Sequence, residues 1–145
     1  MQNENLPDIE KILQLLPHRH PFLLVDKVTG LDPQKSITGV KCVTYNEWYF
    51  EGLPDGLRIV PASILSEAIA QLGAILIYVE EENRDKLVLF SGLRKVRFRK
   101  PIRPGDEVVM SAELIRRKGR LGRFSVLAKV QDRVVMNGTM QFALE

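Results

Sequence analysis

Three of the few polar side chains in the most apolar part of the chain are spaced four residues apart. They are Ser63, Glu67 and Gln71, and a spacing of four places them on one face of an α-helix. A carboxylate among apolar residues is costly to bury unless it is paired or has a function. Glu67 is therefore a candidate acid or base. The alternative is that Glu67 lies at a wet subunit boundary, where Gln71 and backbone groups satisfy it.

The helix that must carry these residues is predicted over Pro61 to about Glu80. Proline at the first helical position is preorganised for a helix. The residues that follow are apolar on almost every side, so the helix must be surrounded by other structure. Several small residues allow that structure to approach closely: Ala62, Ala68, Ala70, Gly73 and Ala74.

Periodic segments on both sides predict the remaining elements. A short helix is expected over Asp8–Leu15, capped by Asp8, and the Gly- and Pro-containing segment Tyr45–Val60 is expected to be a loop. Period-two patterns predict strands over Phe22–Leu31, Ile37–Thr44, Leu87–Lys100, Glu107–Arg117, Leu121–Gln131 and Arg133–Leu144. One buried helix with antiparallel strands around it is an α+β arrangement, and residues 1–145 are predicted to form a single domain.

Composition excludes several classes of protein. With Cys42 as the one cysteine, no intrachain disulfide can form, and two histidines cannot complete the usual zinc ligand sets. We therefore expect no metal and no cofactor. The apolar stretch Ala68–Val79 is shorter than the roughly 20 residues of a membrane span, and the polar, acidic start MQNENLPDIEK is unlike a signal peptide. We expect a soluble, cytoplasmic protein.

Basic residues are concentrated in one segment of the chain. Between Arg94 and Arg123, eleven Lys or Arg stand against three acids, a local charge of +8 that leaves −5 on the rest. Such a segment favours an anionic partner, which could be nucleic acid, an acidic carrier protein or a coenzyme phosphate, or it is simply a solvated strand face. Alternation along the strand predicts three cations on one face: Lys95, Arg97 and Arg99.

Four motifs in order resemble the (3R)-hydroxyacyl-acyl-carrier-protein dehydratase family of the FabZ kind. The segment LPHRHPFLLVDKV (Leu16–Val28) resembles its opening signature, usually LPHRYPFLLVDRV, and NEWYF (residues 46–50) matches its N-E-x-x-F. PASILSEAIAQ (residues 61–71) matches P-G-x-x-x-x-E-A-x-A-Q except at the glycine, and FSGLRKVRFRKPIRPGD (Phe90–Asp106) resembles K-F-R-R-P-V-x-P-G-D. The resemblance runs from about residue 7 to the C-terminus. It implies a hotdog fold, an antiparallel sheet wrapped around one long central helix.

The resemblance also implies a reaction, the removal of water from a 3-hydroxyacyl thioester. In the family, a histidine in a G-H-F-P-G-x-P loop takes the α-proton, and the helix glutamate of the other subunit assists departure of the hydroxyl. Backbone N–H groups at the start of the central helix polarise the thioester carbonyl. Carried onto this sequence, the resemblance makes Glu67 the catalytic acid or base and assigns the acyl thioester to Leu53, Pro61, Ala62, Ser63, Gln71 and Phe22.

The loop that should carry the base departs from the family pattern. With Gly52 and Glu67 aligned without a gap, Leu53 stands where the histidine belongs, and residues 54–58 keep only Gly56. Positioned proton transfer contributes roughly 10²–10⁴-fold to a rate. Dehydration is therefore predicted to be absent, weak or altered.

Two histidines could in principle replace the missing base. His18 belongs to the ordinary opening signature, where it is not the base. His20 stands where the family has tyrosine, and it is either the replacement base or an exposed or hydrogen-bonded substitution. A further departure, Ala62 in place of the glycine after Pro61, restricts how closely a substrate approaches the backbone.

Three functions are compatible with these residues. The first is a FabZ-like protein of fatty-acid metabolism that binds acyl thioesters, with its dehydratase activity reduced or lost. The second is thioester hydrolysis with Glu67 as general base or nucleophile. The third is a non-catalytic role, as an acyl-sensing regulator or as the partner subunit of an active homologue. Nucleic acid is disfavoured as a ligand because no helix-turn-helix or aromatic-studded basic surface accompanies the basic segment.

A carrier protein and a second copy of the chain are the expected partners. A lone hotdog sheet leaves one edge and one side of its apolar helix uncovered, so a homodimer is expected, possibly a trimer of dimers. An acidic acyl-carrier protein is expected around the mouth of the substrate tunnel, at Arg94, Lys95, Arg97, Arg99, Lys100 and Arg103. No membrane partner is expected.

Overall fold

A computed structural model describes residues 6–145. Within that range the chain forms two helices and six strands. They are α1 (Ile9–Leu15), β1 (Lys27–Asp32), β2 (Ser36–Cys42), α2 (Ala62–Tyr78), β3 (Val88–Phe98), β4 (Glu107–Lys118), β5 (Leu121–Val130) and β6 (Arg133–Leu144). The strands form one antiparallel sheet in the order β1-β2-β4-β5-β6-β3. The predicted α+β architecture, with an antiparallel sheet and one long helix, is confirmed.

Helix α2 lies at the centre of the core, as its apolar sequence predicts. Its residues from Ala68 to Tyr78 are all buried. The sheet comes close because Gly73 has no side chain: a Cβ there would lie 3.0 Å from the ring of Phe124. Pro61 is the N-cap (φ −58°, ψ 139°) and not the first helical residue, so the helix is slightly shorter than predicted. No helix within residues 6–145 is long and apolar enough to cross a membrane.

The segment before β1 is not the strand that we predicted over Phe22–Leu31. Strand β1 begins only at Lys27. The backbone carbonyl of Phe22 and the backbone N–H of Leu24 are hydrogen-bonded to the side chain of Gln71 instead of to a neighbouring strand. Helix α2, through Gln71, therefore supplies the hydrogen-bond partners that a neighbouring strand would supply if Phe22 and Leu24 belonged to β1.

The end of α1 is closed by the guanidinium group of Arg19. Its nitrogens donate hydrogen bonds to three backbone carbonyls, those of Leu13 (2.8 Å), Leu16 (2.8 Å) and His18 (2.7 Å). The last carbonyls of a helix have no partner within the helix. Arg19 supplies partners and holds the segment that leads to β1.

The other predicted elements are confirmed, with ends that shift by at most two residues. Asp8 caps α1 as expected, because its Oδ1 accepts a hydrogen bond from the backbone N–H of Lys11 at 2.8 Å. The predicted loop over Tyr45–Val60 contains two short 3₁₀ turns, Trp48–Phe50 and Asp55–Leu57.

Strand β3 is the last strand of the sheet and pairs with β6 alone among the described strands. Its register shifts between Arg94 and Arg97, where Lys95 has a φ of 52°. This bulge interrupts the regular alternation that predicted Lys95, Arg97 and Arg99 on one face. Arg99 also lies beyond the end of the strand. The prediction that regular alternation places these three cations on one face of the strand is therefore wrong.

Candidate active site

Gln71 holds the centre of the candidate site. Its side chain is buried, with 1% of its surface exposed. Its Oε1 accepts from the N–H of Leu24 at 2.9 Å, and its Nε2 donates to the carbonyl of Phe22 at 2.8 Å and to Oε1 of Glu67 at 2.9 Å. An amide with a donor on one side and two acceptors on the other has a single satisfactory orientation. Gln71 is thus a fixed support for Glu67.

Glu67 has a second neighbour, from outside its own helix. Nε2 of His18 lies 3.5 Å from Oε1 of Glu67, and both side chains are partly exposed, at 29% and 31%. The hydrogen bond from Gln71 to Glu67 agrees with the alternative in which Gln71 satisfies the carboxylate. Its remaining exposure leaves the group accessible for chemistry as well.

The carboxylate of Glu67 faces a cavity of about 280 Å³. Its walls are Pro17, His18, Glu67, Ala70, Gln71, Ala74, Tyr78 and residues 87–90 of the segment that enters β3. At the far end the hydroxyl of Tyr78 accepts a hydrogen bond from the backbone N–H of Val88 at 3.0 Å. The cavity therefore combines an apolar interior with one carboxylate and one imidazole, a composition suited to an acyl chain with a polar head.

A larger groove of about 480 Å³ runs past the start of α2. It is lined by Ile59, Val60, Pro61, Ala62, Leu65 and residues 98–102. The backbone N–H of Val60 donates to the carbonyl of Ile102 at 2.9 Å, which holds the entry to the helix against the segment after β3. The structure thus brings two predicted substrate residues, Pro61 and Ala62, beside two predicted carrier residues, Arg99 and Lys100.

Leu53 lines neither cavity, although Ile59 and Val60 at the end of the same loop line the groove. The Leu53 side chain is 40% exposed. Ser63 is exposed on the first turn of α2 and lines neither cavity. Phe22 is 40% exposed and contributes its backbone carbonyl to Gln71, while its ring lies 6.0 Å from that of His18. Within one chain, the predicted substrate residues therefore divide between two cavities and the surface.

The predicted carrier residues are all exposed: Arg94, Lys95, Arg97, Arg99, Lys100 and Arg103. Arg99 is the most constrained of them, because its Nε donates to Oδ1 of Asn137 at 2.8 Å. Among residues 6–145, no cluster of three or more His, Cys, Asp or Glu could hold a metal ion.

The structure places His18, and not His20, beside Glu67. His20 is exposed and lines neither cavity. Sequence reasoning set His18 aside because it belongs to an ordinary motif, and no spacing rule relates it to a residue so distant along the chain. Tyr78, which lines the same cavity, was not predicted either, because no spacing rule relates it to the segment that enters β3.

Comparison with known proteins agrees with this architecture. The fold is similar to that of the Dehydratase Heterocomplex ApeI:P from Xenorhabdus doucetiae (TM-score 0.75, 17% identity, covering 92% of this chain and 90% of that chain). It is also similar to a hypothetical thioesterase with coenzyme A from Streptococcus pneumoniae (TM-score 0.63, 10% identity, 82% and 84%). The sheet around a long helix is the hotdog fold of such dehydratases and thioesterases.

Sequence similarity defines the family within that fold. A family profile described as a FabA-like domain matches residues 16–139. The chain is similar to 3-hydroxyacyl-acyl-carrier-protein dehydratase FabZ of Caldicellulosiruptor saccharolyticus, with 43% identity over 138 residues, 95% of this chain and 99% of that protein. It is similar to the protein of the same name from Bacillus subtilis, with 39% identity over 137 residues, 94% and 97%. The chain belongs to the FabZ-like dehydratase family.

Proposed function

We propose that this chain binds acyl thioesters of fatty-acid metabolism in the cytoplasm, and that it dehydrates 3-hydroxyacyl thioesters slowly or not at all. The observation that carries the proposal is the cavity beside Glu67, where Gln71 holds a carboxylate against apolar walls. Leu53 stands where the family resemblance puts the base, and its side chain cannot accept a proton. Compared with the family pattern, the chain keeps Glu67 and Gln71 beside the cavity and lacks the proton acceptor of the loop.

The thioester is carried by an acyl-carrier protein in this proposal. Support comes from the exposed cations Arg99 and Lys100, which line the same groove as Pro61 and Ala62 at the start of α2. The relatives described above are named for substrates of this carrier. An acidic carrier docked on these cations would bring its acyl group to the start of the central helix.

The working form of the protein is a homodimer, possibly assembled further into a trimer of dimers. Support comes from Leu93 of β3, which is aligned with the buried Met140 of β6 and is nevertheless 53% exposed. The sheet ends at β3, so no further strand of the described chain lies beside Leu93, and about half of the residue stays exposed. A second copy that continued the sheet would cover Leu93 and remove the open edge.

Thioester hydrolysis is the second candidate reaction. It is favoured by the hydrogen bond from Gln71 to Glu67, because a fixed, accessible carboxylate can accept a proton from water. Water would then attack the thioester carbonyl carbon, and the carbon–sulfur bond would break. The proton that Glu67 had taken from water would pass to the leaving thiolate, which gives a free acid and a thiol. This reaction needs no base on the loop at Leu53.

The test is a binding and turnover assay with crotonyl- and 3-hydroxybutyryl-acyl-carrier protein. Binding is measured by calorimetry against the same carrier without an acyl group, and turnover is followed as hydration, dehydration and thiol release. We expect acyl-dependent binding, and dehydration at least about 10²-fold slower than in a relative with the loop histidine. Equal affinity for acylated and unacylated carrier would overturn the proposal.

Glu67→Gln separates the two reactions from simple binding. The variant keeps the shape of the side chain and removes its charge, so acyl-dependent binding should persist while any residual hydrolysis disappears. The matched control is Glu113→Gln, which neutralises an exposed carboxylate on β4. If the wild-type protein shows neither dehydration nor thiol release but still binds the acylated carrier, the protein binds acyl thioesters without catalysis.

A further inference from the structure

His18 approaches the candidate carboxylate from outside helix α2. It follows the end of α1, whereas Gln71 lies one turn along the helix that carries Glu67. Nε2 of Gln71 donates to Oε1 of Glu67 at 2.9 Å, and Nε2 of His18 lies 3.5 Å from the same oxygen. No described residue donates a hydrogen bond to the other oxygen, Oε2.

The backbone around His18 is fixed on both sides. Before it, Arg19 binds the carbonyls of Leu16 and of His18 itself. After it, Gln71 binds the carbonyl of Phe22. A side chain on a backbone held at two points is positioned before any ligand arrives. Gln71 therefore supports Glu67 twice, directly and through the segment that carries His18.

The surroundings of the imidazole select one neutral tautomer. Nδ1 of His18 is shielded from solvent and has no hydrogen-bond partner among the described residues. A hydrogen on Nδ1 would be a buried donor without an acceptor, whereas a hydrogen on Nε2 has the carboxylate oxygen of Glu67 as an acceptor 3.5 Å from the nitrogen. The network thus assigns the hydrogen of neutral His18 to Nε2.

We propose that His18 is a positioning residue for Glu67. It donates from Nε2 to Oε1, shares that oxygen with Gln71, and leaves Oε2 directed at the reacting atoms of the thioester. The 3.5 Å separation is long for a hydrogen bond, and contacts of this kind commonly shorten when substrate fills a site. The role deepens the proposed function and rests on it for its purpose, but its geometry can be tested without turnover.

The first test reads the tautomer by long-range ¹H–¹⁵N NMR of the intact protein. The chain has two histidines, so exposed His20 is the internal control. For neutral His18 we expect the Nε2–H form in wild type and a redistribution toward Nδ1–H in Glu67→Ala, with His20 unchanged. An Nδ1–H form in wild type, or a His18 signal that is the same in wild type and in Glu67→Ala, would refute the hydrogen bond from His18 to Glu67 even if thioesters bind.

The second test reads the function of the donor. His18→Phe keeps a ring and removes the donor, whereas His18→Gln places an amide N–H close to the position of Nε2. On whichever thioester reaction the protein performs, we expect His18→Phe to lower kcat by roughly tenfold or more with little change in KM, His18→Gln to recover much of it, and the control His20→Phe to match wild type. The proposal fails if His18→Gln is no better than His18→Phe, or if neither differs from wild type.

The two tests fail in different ways. If the protein binds no acyl thioester, the proposed function is wrong, and the NMR result still decides whether His18 donates to Glu67. If thioesters bind and react while the tautomer is independent of Glu67, the proposed function stands and the role of His18 is wrong.

Discussion

The hydroxyl of Tyr45 donates a hydrogen bond of 2.5 Å to Oδ1 of Asp55, across the loop that carries Leu53. Arg58 completes the cluster: its guanidinium carbon lies 4.3 Å from the centre of the Tyr45 ring, and its Nε lies 3.5 Å from Asp55 Oδ1. The bond to Asp55 is also the main cause that raises the pKa of Tyr45. Asp55 and Arg58 are two of the residues by which this loop departs from the family pattern, and both of them contact Tyr45.

Leu53→His is therefore expected to restore dehydration only in part. The substitution supplies a proton acceptor, and we expect the rate on 3-hydroxybutyryl-acyl-carrier protein to rise about tenfold or more, short of the roughly 10²–10⁴-fold of a well-positioned base. The altered loop and Ala62 limit the gain. Leu53→Asn is the control, because it is polar and cannot act as the base. Efficient dehydration by the unmodified protein would show that the base has been misplaced.

Self-association through β3 is expected to depend on Leu93. Light scattering at micromolar concentration should give at least a dimer of the 16.5 kDa chain. Leu93→Lys puts a charge where a partner would bury a leucine, so it should weaken the association. Leu121→Lys changes a more exposed leucine (63%) on another strand and should leave the mass unchanged. A monomer in wild type would contradict the prediction.

Carrier binding is expected to weaken with salt and with charge reversal. Exposed charges are screened over about 10 Å at 0.1 M salt, so affinity for an acidic carrier should fall as salt rises. The double variant Arg97→Glu, Arg99→Glu should lower affinity roughly tenfold or more in calorimetry, whereas Lys35→Glu on the β1–β2 turn should change it little. Unchanged affinity in the double variant would mean that the patch has another purpose.

Stability at alkaline pH is expected to depend on Tyr49. Burial raises the pKa of this phenol, with the carboxylates of Glu47 and Asp26 as smaller causes, and its hydroxyl has no hydrogen-bond partner among the described residues. Because the folded-state pKa is raised, the contribution to stability is complete below the unfolded value near 10 and is lost as pH rises above it. Urea unfolding of Tyr49→Phe should therefore show a shallower alkaline decline than wild type. An identical decline would assign the effect to other groups.

Much of the fold could be predicted because local patterns agree with the tertiary structure. The apolar run after Pro61 could only be a surrounded helix, and period-two alternation identified β4, β5 and β6 closely. The segment before β1 was mistaken for strand because a side chain, that of Gln71, binds the carbonyl of Phe22 and the N–H of Leu24. Hydrophobic periodicity carries no information about such a partner.

The candidate site was predictable only where its members share a helix. Glu67 and Gln71 are four residues apart, and their contact follows from helical geometry. His18 reaches Glu67 only because Arg19 and Gln71 direct its segment toward α2, and this is a property of the packed chain. The bulge at Lys95 is likewise invisible to an alternation rule.

The exposed position of Leu53 separates two kinds of mutational constraint in this chain. No core contact depends on the residue at that position, since its side chain lies on a surface loop and lines neither cavity. Gln71, by contrast, serves the helix core and the carboxylate through the same three hydrogen bonds. A lineage could therefore exchange the loop residue at almost no folding cost, whereas a change at Gln71 would remove buried hydrogen bonds together with the support of Glu67.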